Sequence, residues 1–316
     1  MKPNSLSVLI GAGFSKWAAG LPVANELFDS PITPFGKRDS EKAEIVHLAR
    51  EAWAAKHPHA TAEQFIAYAL AQSENLRSAV IWYIVRRLSE PYIWQEWHAG
   101  RWRRHVLMID EYRKFERPGV PLAQEFFTRL RPALSGIITP NYDLLVEYAL
   151  GTKLFNYGRE NEYLSGRGAF PVSQWNNPVI LRGPIAVAKV HGSISWDTKG
   201  KHTDGRGGIT GKALIVAPTP EKRPPPELAF EWDLARAILN SATTLLVFGF
   251  SFNPYDEALL ELLRQDGQSI KEAILVDKSP RADRATALWP NATLRVIPPP
   301  SENEKLAVWC AGVTRP

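Results

Sequence analysis

GIITPNYDLLVEY, residues 136–148, carries a strand signal, a polar turn and a helix signal in one short stretch. An apolar, β-branched run suited to a buried strand ends at Thr139-Pro140-Asn141-Tyr142-Asp143, and apolar residues at helical spacing resume at once. A strand that passes straight through a turn into a helix is the building unit of an α/β sheet. Asn141 and Asp143 have an ordinary use as caps of the helix that follows. Their position at the carboxyl end of a strand equally suits a ligand site.

The same unit recurs. Apolar runs bounded by turn residues lie at 6–11 (LSVLIG), 135–139 (SGIIT), 186–191 (AVAKVH), 213–217 (ALIVA), 243–250 (TTLLVFGF), 273–277 (AILVD) and 292–297 (ATLRVI). They are apolar throughout rather than alternating, as strands buried on both faces of a parallel sheet should be. Amphipathic segments at 142–151, 227–241, 254–265 and 301–310 separate most of them, the last opening on the capping-box pattern Ser301-Glu302-Asn303-Glu304. The expected architecture is α/β: a doubly wound, mainly parallel sheet within one domain spanning 1–316.

Residues 37–131 interrupt the alternation. They lack strand runs, are rich in Ala, Glu, Arg, Leu and Trp, and offer helix starts at Thr61 and near Pro121. The expectation is a helical insertion or lid between the first and second strands. Within it, residues 92–107 interleave Trp94, Trp97 and Trp102 with Arg101, Arg103 and Arg104, which reads as a helix with packed aromatics and solvated arginines. A subunit interface or a surface that stacks on nucleic acid are the alternatives.

Composition narrows the class. At 45% hydrophobic and 22% charged, the 316-residue chain reads as a soluble globular protein. A formal charge of +5, spread along the chain, is weak support for nucleic-acid binding. Cys310 is the single cysteine, which excludes a disulfide framework and a cysteine-based zinc module and points to a reducing, cytoplasmic setting. No stretch reads as a secretory signal or a membrane span. The loops 199–212 and 218–226 are Gly- or Pro-rich and mark no catalytic group.

Five strand ends carry candidate chemistry. Gly11-Ala12-Gly13-Phe14-Ser15 closes the first strand, where glycines let a backbone approach a phosphate; Lys16 stands where a dinucleotide fingerprint has its third glycine, so the turn alone is a weak signal. Asn141 and Asp143 close the second. His191, followed by Gly192-Ser193, is placed as a general base or as a structural histidine. Gly249 and Ser251 form a second small-residue turn, with Asn253 a cap for the next helix, and Asp277 ends AILVD where a carboxylate suits a ribose. Histidines 47, 57, 59, 98, 105 and 202 show no metal-ligand spacing.

In order along the chain, GAGFSKWAAGLP (11–22), TPNYD (139–143), VHGS (190–193) and FGFSFNPYD (248–256) resemble the landmark motifs of the SIR2 (sirtuin-like) superfamily, most closely its bacterial branch associated with anti-phage defence. The resemblance covers both ends of the chain but not the insertion. It implies a Rossmann-like fold that takes NAD+ as substrate. Carried over, Gly11, Ala12, Gly13, Phe14 and Ser15 would line the diphosphate and ribose site, and Asn141 would hold water or ribose. Asp143 would lie by the nicotinamide and His191 would be the catalytic base. Gly249 and Ser251 would hold phosphate or ribose, and Asp277 the adenosine end.

Two departures turn the expectation from deacetylation toward NAD+ hydrolysis. The four-cysteine zinc module usual in deacetylases is missing from 194–247, and TPNYD carries Pro140 where deacetylases typically have Gln. The implied activity is NAD+ glycohydrolase; the alternatives are a non-catalytic NAD or ADP-ribose-binding subunit, and a deacylase or ADP-ribosyltransferase. No metal is expected. By the same resemblance the partners would be further copies of the chain or a separately encoded activator, HerA-like ATPase or Argonaute-type.

Overall fold

In chain order the strands are β1 (Leu6–Ile10), β2 (Ile93–His98), β3 (Arg101–Val106), β4 (Leu134–Thr139), β5 (Phe155–Asn156), β6 (Ile185–Lys189), β7 (Gly192–Asp197), β8 (Ala213–Ile215), β9 (Thr244–Phe248), β10 (Glu272–Val276) and β11 (Thr293–Ile297). The α-helices are α1 (Ala12–Ala19), α2 (Lys37–Lys56), α3 (Ala62–Leu70), α4 (Glu74–Ser89), α5 (Val120–Leu130), α6 (Leu145–Leu150), α7 (Ala229–Ser241), α8 (Glu257–Asp266), α9 (Ala282–Leu288) and α10 (Leu306–Thr314). The computed structural model describes residues 5–32, 34, 37–89, 93–98, 101–106, 120–150, 155–157, 185–197, 213–219, 222–301 and 306–314.

Seven strands make one sheet in the order β11-β10-β9-β1-β4-β6-β5, with every neighbouring pair parallel. The chain moves outward from β1 through β4 and β6, then crosses back to the other side of β1 for β9, β10 and β11. That reversal sits between β1 and β9, where open α/β sheets hold their ligands. Two helix groups flank the sheet: α7 packs on β4 and β6 and against α8, while α1, α6 and α10 gather around α5. The expected doubly wound, Rossmann-like α/β fold is the observed one.

Burial explains the uniformly apolar runs. β1 and β4 are buried along their whole length, and the buried hydroxyls of Ser7 and Ser135 pair with each other at 2.9 Å. β11, at the sheet edge, leaves Thr293 and Val296 exposed, so its apolar run overstates its burial. Among the described residues, no helix is long and apolar enough to cross a membrane.

Three expectations need correction. Residues 93–106 are not a helix but a β2–β3 antiparallel ribbon, with Trp97 opposite Trp102 and Glu96 opposite Arg103. Aromatic and opposite-charge residues in register favour cross-strand pairing, and Gly100 between the strands disfavours a continuous helix. The side chains of this ribbon lie outside the described residues, and with them the interface and nucleic-acid readings of its Trp and Arg residues. ALIVA does not enter the parallel sheet; β8 pairs antiparallel with β7 because the tight Gly192 turn sends the chain out of the sheet. The helix after β9 starts at Glu257, not Pro254, because Asn253 Oδ1 accepts the Tyr255 N–H at 3.1 Å in a turn of its own.

Among the described residues, the regular elements of the insertion are otherwise helices. Thr61 caps α3 reciprocally with Gln64, as its sequence pattern indicates (2.9 and 3.3 Å). α2 and α3 pack on α4, burying Val46, Phe65, Ile66, Trp82 and Ile84. The capping pattern at 301–304 falls largely outside the described residues, and α10 is described from Leu306.

Candidate active site

The strand ends open into one cavity of about 1570 Å³. Of the residues singled out in the sequence, Gly11, Ala12, Gly13, Ser15, Asn141, Asp143, His191, Gly249, Ser251 and Asp277 all line it. Phe14 does not. Its fully buried ring packs on Trp17, Phe126, Phe127 and Phe248 at centroid distances of 5.1–5.7 Å, so Phe14 anchors α1 in the core rather than meeting a ligand.

The turn after β4 is tied to the turn after β1. Thr139 Oγ1 donates to Ile10 O at 2.9 Å and accepts the Asn141 N–H at 3.0 Å. Both side-chain N–H groups of Asn141 are then used, on Gly11 O and on Ser15 Oγ, each at 3.0 Å. Ser15 Oγ donates onward to Asp143 Oδ2 at 2.8 Å, and Asp143 Oδ1 accepts the Leu145 N–H at 2.9 Å, opening α6. Cap and site residue are thus one and the same at Asp143. Among the described residues, the amide oxygen of Asn141 meets no donor and can face a ligand. Burial pushes the Asp143 carboxyl above the usual carboxylate range, against the pull of the Lys189 ammonium and its own hydrogen bonds.

His191 is held from the opposite wall. Its Nε2 lies 3.1 Å from Asp256 Oδ1, and Lys222 Nζ lies 3.1 Å from Asp256 Oδ2. Burial raises Asp256, but the His191 imidazole and the Lys222 ammonium together outweigh it and bring the carboxyl below its usual range. From α3, Glu63 also lines the cavity and accepts a hydrogen bond from Asn253 Nδ2 at 3.0 Å. Asp256, Lys222 and Glu63 escaped the sequence reading: Asp256 sits inside the quoted FGFSFNPYD motif, Lys222 in a proline-rich loop, and Glu63 in a capping motif.

The glycines also let the two turns pack together. Gly11 N–H bonds Phe248 O at 2.9 Å and Gly13 N–H bonds Gly249 O at 3.0 Å, so the two turns lie directly on each other. A Cβ on Gly11 would come 2.3 Å from Gly249 O, and one on Gly249 would come 2.3 Å from the Phe14 nitrogen. Backbone-on-backbone packing, with a cavity beside it, is what this pair of turns requires. The N-terminus of α1 borders that cavity with no side-chain cap; of its first amides, Gly13 N–H is taken by Gly249 O at 3.0 Å and Phe14 N–H by Gly11 O at 3.1 Å.

Behind the site lies a buried ion pair. Lys189 Nζ meets Glu147 Oε1 at 2.8 Å and also donates to Asp143 O; Tyr157 donates to the same Glu147 oxygen at 2.6 Å. Lys189 is therefore a peg for the TPNYD turn from below. Lys189→Met should cost about 3 kcal/mol in urea unfolding, the lower end for a broken buried pair. Adding Glu147→Leu should restore part of that loss; a single variant as stable as the parent would show the pair contributes nothing.

Among the described residues, no group of three or more His, Cys, Asp or Glu is arranged to hold a metal ion. No family model and no curated protein matches the chain. It is similar to solved structures that include one from work on the mechanism and regulation of Sir2 enzymes (TM-score 0.44, 15% identity, 99% of this chain and 91% of that one). Others are a Sir2 homolog–NAD complex (TM-score 0.41, 15% identity, 99% and 88%) and a structure on sirtuin substrate affinity (TM-score 0.39, 14% identity, 99% and 92%).

Proposed function

We propose that this chain binds NAD+ as substrate and hydrolyses its bond between nicotinamide and ribose, releasing nicotinamide and ADP-ribose. One observation carries the reading: His191, Asn141 and the N-terminus of α1 converge on a single cavity at the switch point of a parallel sheet. The four ordered motifs in the sequence support it. At about 1570 Å³ the cavity exceeds the ~300–1,000 Å³ of ordinary small-molecule sites, as an elongated dinucleotide requires. The positive end of the α1 dipole, which borders the cavity, suits its diphosphate, and Asp277 beyond β10 suits the adenosine ribose.

The chemistry follows from the charge on the leaving group. Nicotinamide departs as a neutral molecule with the electrons of the C1′–N bond, and the ribose acquires oxocarbenium character. The oxygen of water bonds C1′, while its proton passes to His191 and from there to solvent; NAD+ and water give nicotinamide, ADP-ribose and a proton. What the protein must supply is a held ribose, an oriented water and a general base. Asn141, with its N–H groups locked to Gly11 and Ser15 and its oxygen without a donor among the described residues, is preset for the orienting role. The resemblance to the bacterial branch supports an NAD-depleting effector of anti-phage defence, restrained by self-assembly or by a HerA-like or Argonaute-type partner.

A second reading has its own observation: Asn141 Nδ2 and His191 Nε2 are both engaged within the protein, which also suits a non-catalytic subunit that binds NAD or ADP-ribose. Nicotinamide release from NAD+, followed with the chain alone and in its native complex, separates the two. Turnover above the buffer rate supports hydrolysis. Saturable ADP-ribose binding by calorimetry with no nicotinamide release selects the binding subunit, and the absence of both sinks the two together.

A further inference from the structure

The segment that leads from β8 to α7 reaches His191 once directly and once through Asp256. Val216 N–H bonds His191 O at 2.8 Å, fixing the backbone, and six residues later Lys222 reaches the imidazole through Asp256. His191 and Asp256 are almost fully buried, with side chains 2% and 3% exposed, and Lys222 is 11% exposed. All three border the cavity. Among the described residues the imidazole makes one hydrogen bond, the one through Nε2.

A carboxylate that pairs with an ammonium carries no proton and only accepts. With Lys222 on one oxygen of Asp256, the other oxygen requires a donor, and the only donor His191 presents there is Nε2–H. In a neutral imidazole the proton-accepting nitrogen is then Nδ1. We propose that Asp256 and Lys222 are positioning residues that hold His191 as the Nε2–H tautomer, making Nδ1 the nitrogen that takes the proton in the reaction. The chain thereby contains a Lys–Asp–His series in which the lysine keeps the carboxylate ionised, the carboxylate selects the tautomer, and the imidazole does the proton transfer. Its catalytic part rests on the hydrolase reading above; its structural part does not.

The experiment uses the full chain labelled with ¹⁵N at its seven histidines. Long-range ¹H–¹⁵N spectra are recorded at a pH high enough for neutral imidazoles, and His191→Gln identifies the His191 signals by their loss. The expected pattern for His191 is a protonated Nε2 and an unprotonated Nδ1. Asp256→Ala should mix the tautomers, Lys222→Arg should leave them alone, and an Nδ1–H pattern in the parent protein overturns the proposal outright. This arm needs no turnover, so it decides the tautomer even if no nicotinamide is released. Where hydrolysis is measurable, Asp256→Ala should lower kcat at least 10-fold with KM within about 2-fold, and Lys222→Met should lower kcat while Lys222→Arg restores it. An unchanged kcat in Asp256→Ala that folds normally, judged by its melting curve, removes Asp256 from the series.

Discussion

His191→Ala is expected to slow nicotinamide release from NAD+ by about 10²–10⁴-fold, the range typical for removal of a positioned general base. The imidazole stands at the end of β6, gripped on its main-chain oxygen by Val216 and on its ring by Asp256, so its deletion leaves the surrounding walls in place. Asn141→Ala should also slow the reaction, by a different route. Its amide ties Gly11 and Ser15 to the TPNYD turn, so the alanine loosens the wall that faces the substrate. Because both residues serve the same bond-breaking step, the double variant should be little slower than the worse single variant. Rates multiplying independently would show that the two residues contribute separately rather than as one unit. Both singles turning over NAD+ like the parent would falsify the hydrolase assignment of this site.

Much of this site is legible in the sequence because it lies at strand ends, and strand ends announce themselves. A run such as SGIIT can only be buried, and the polar residues that stop it must sit at the rim. Asn141, His191 and Asp277 were found that way, and the cavity brings them together. What stayed hidden depends on distance along the chain. Asp256 is 65 residues from His191, and Lys222 is 34 residues from Asp256, so no local pattern links them. Lys189 did leave a trace, as the one charge in AVAKV, and so did Glu147 in LLVEYAL. A buried pair is the economical account of two isolated charges in apolar runs, yet only the fold shows that they meet. Residues 93–106 misled for a different reason: aromatics and arginines interleaved suit a helix face or a ribbon equally well, and cross-strand register settled it.

Gly249→Val should cost more than about 4 kcal/mol and yield little folded protein. Two penalties act together there. The residue has φ +65°, a conformation that a β-branched side chain adopts only under strain. Its Cβ would also fall 2.3 Å from the Phe14 nitrogen and 2.5 Å from the Gly13 carbonyl carbon. Those neighbours are backbone, so no rotamer change relieves them; the first turn of α1 would have to lift off the end of β9. That movement breaks the Gly13 N–H bond to Gly249 O and carries Ser15 away from Asn141 and Asp143. Gly20 provides the control, since its φ is +66° but a Cβ there meets nothing within 4 Å. Gly20→Ala should therefore cost only about 1–2 kcal/mol, the penalty of the left-handed conformation by itself. If Gly249→Ala and Gly20→Ala shift the urea midpoint equally, dihedral strain alone explains the glycine at 249, and the close packing of the two turns contributes nothing measurable. A much larger loss at Gly249 would show that the FGFS turn is glycine-bearing because α1 rests on it, which is also what holds Ser15 in reach of Asn141.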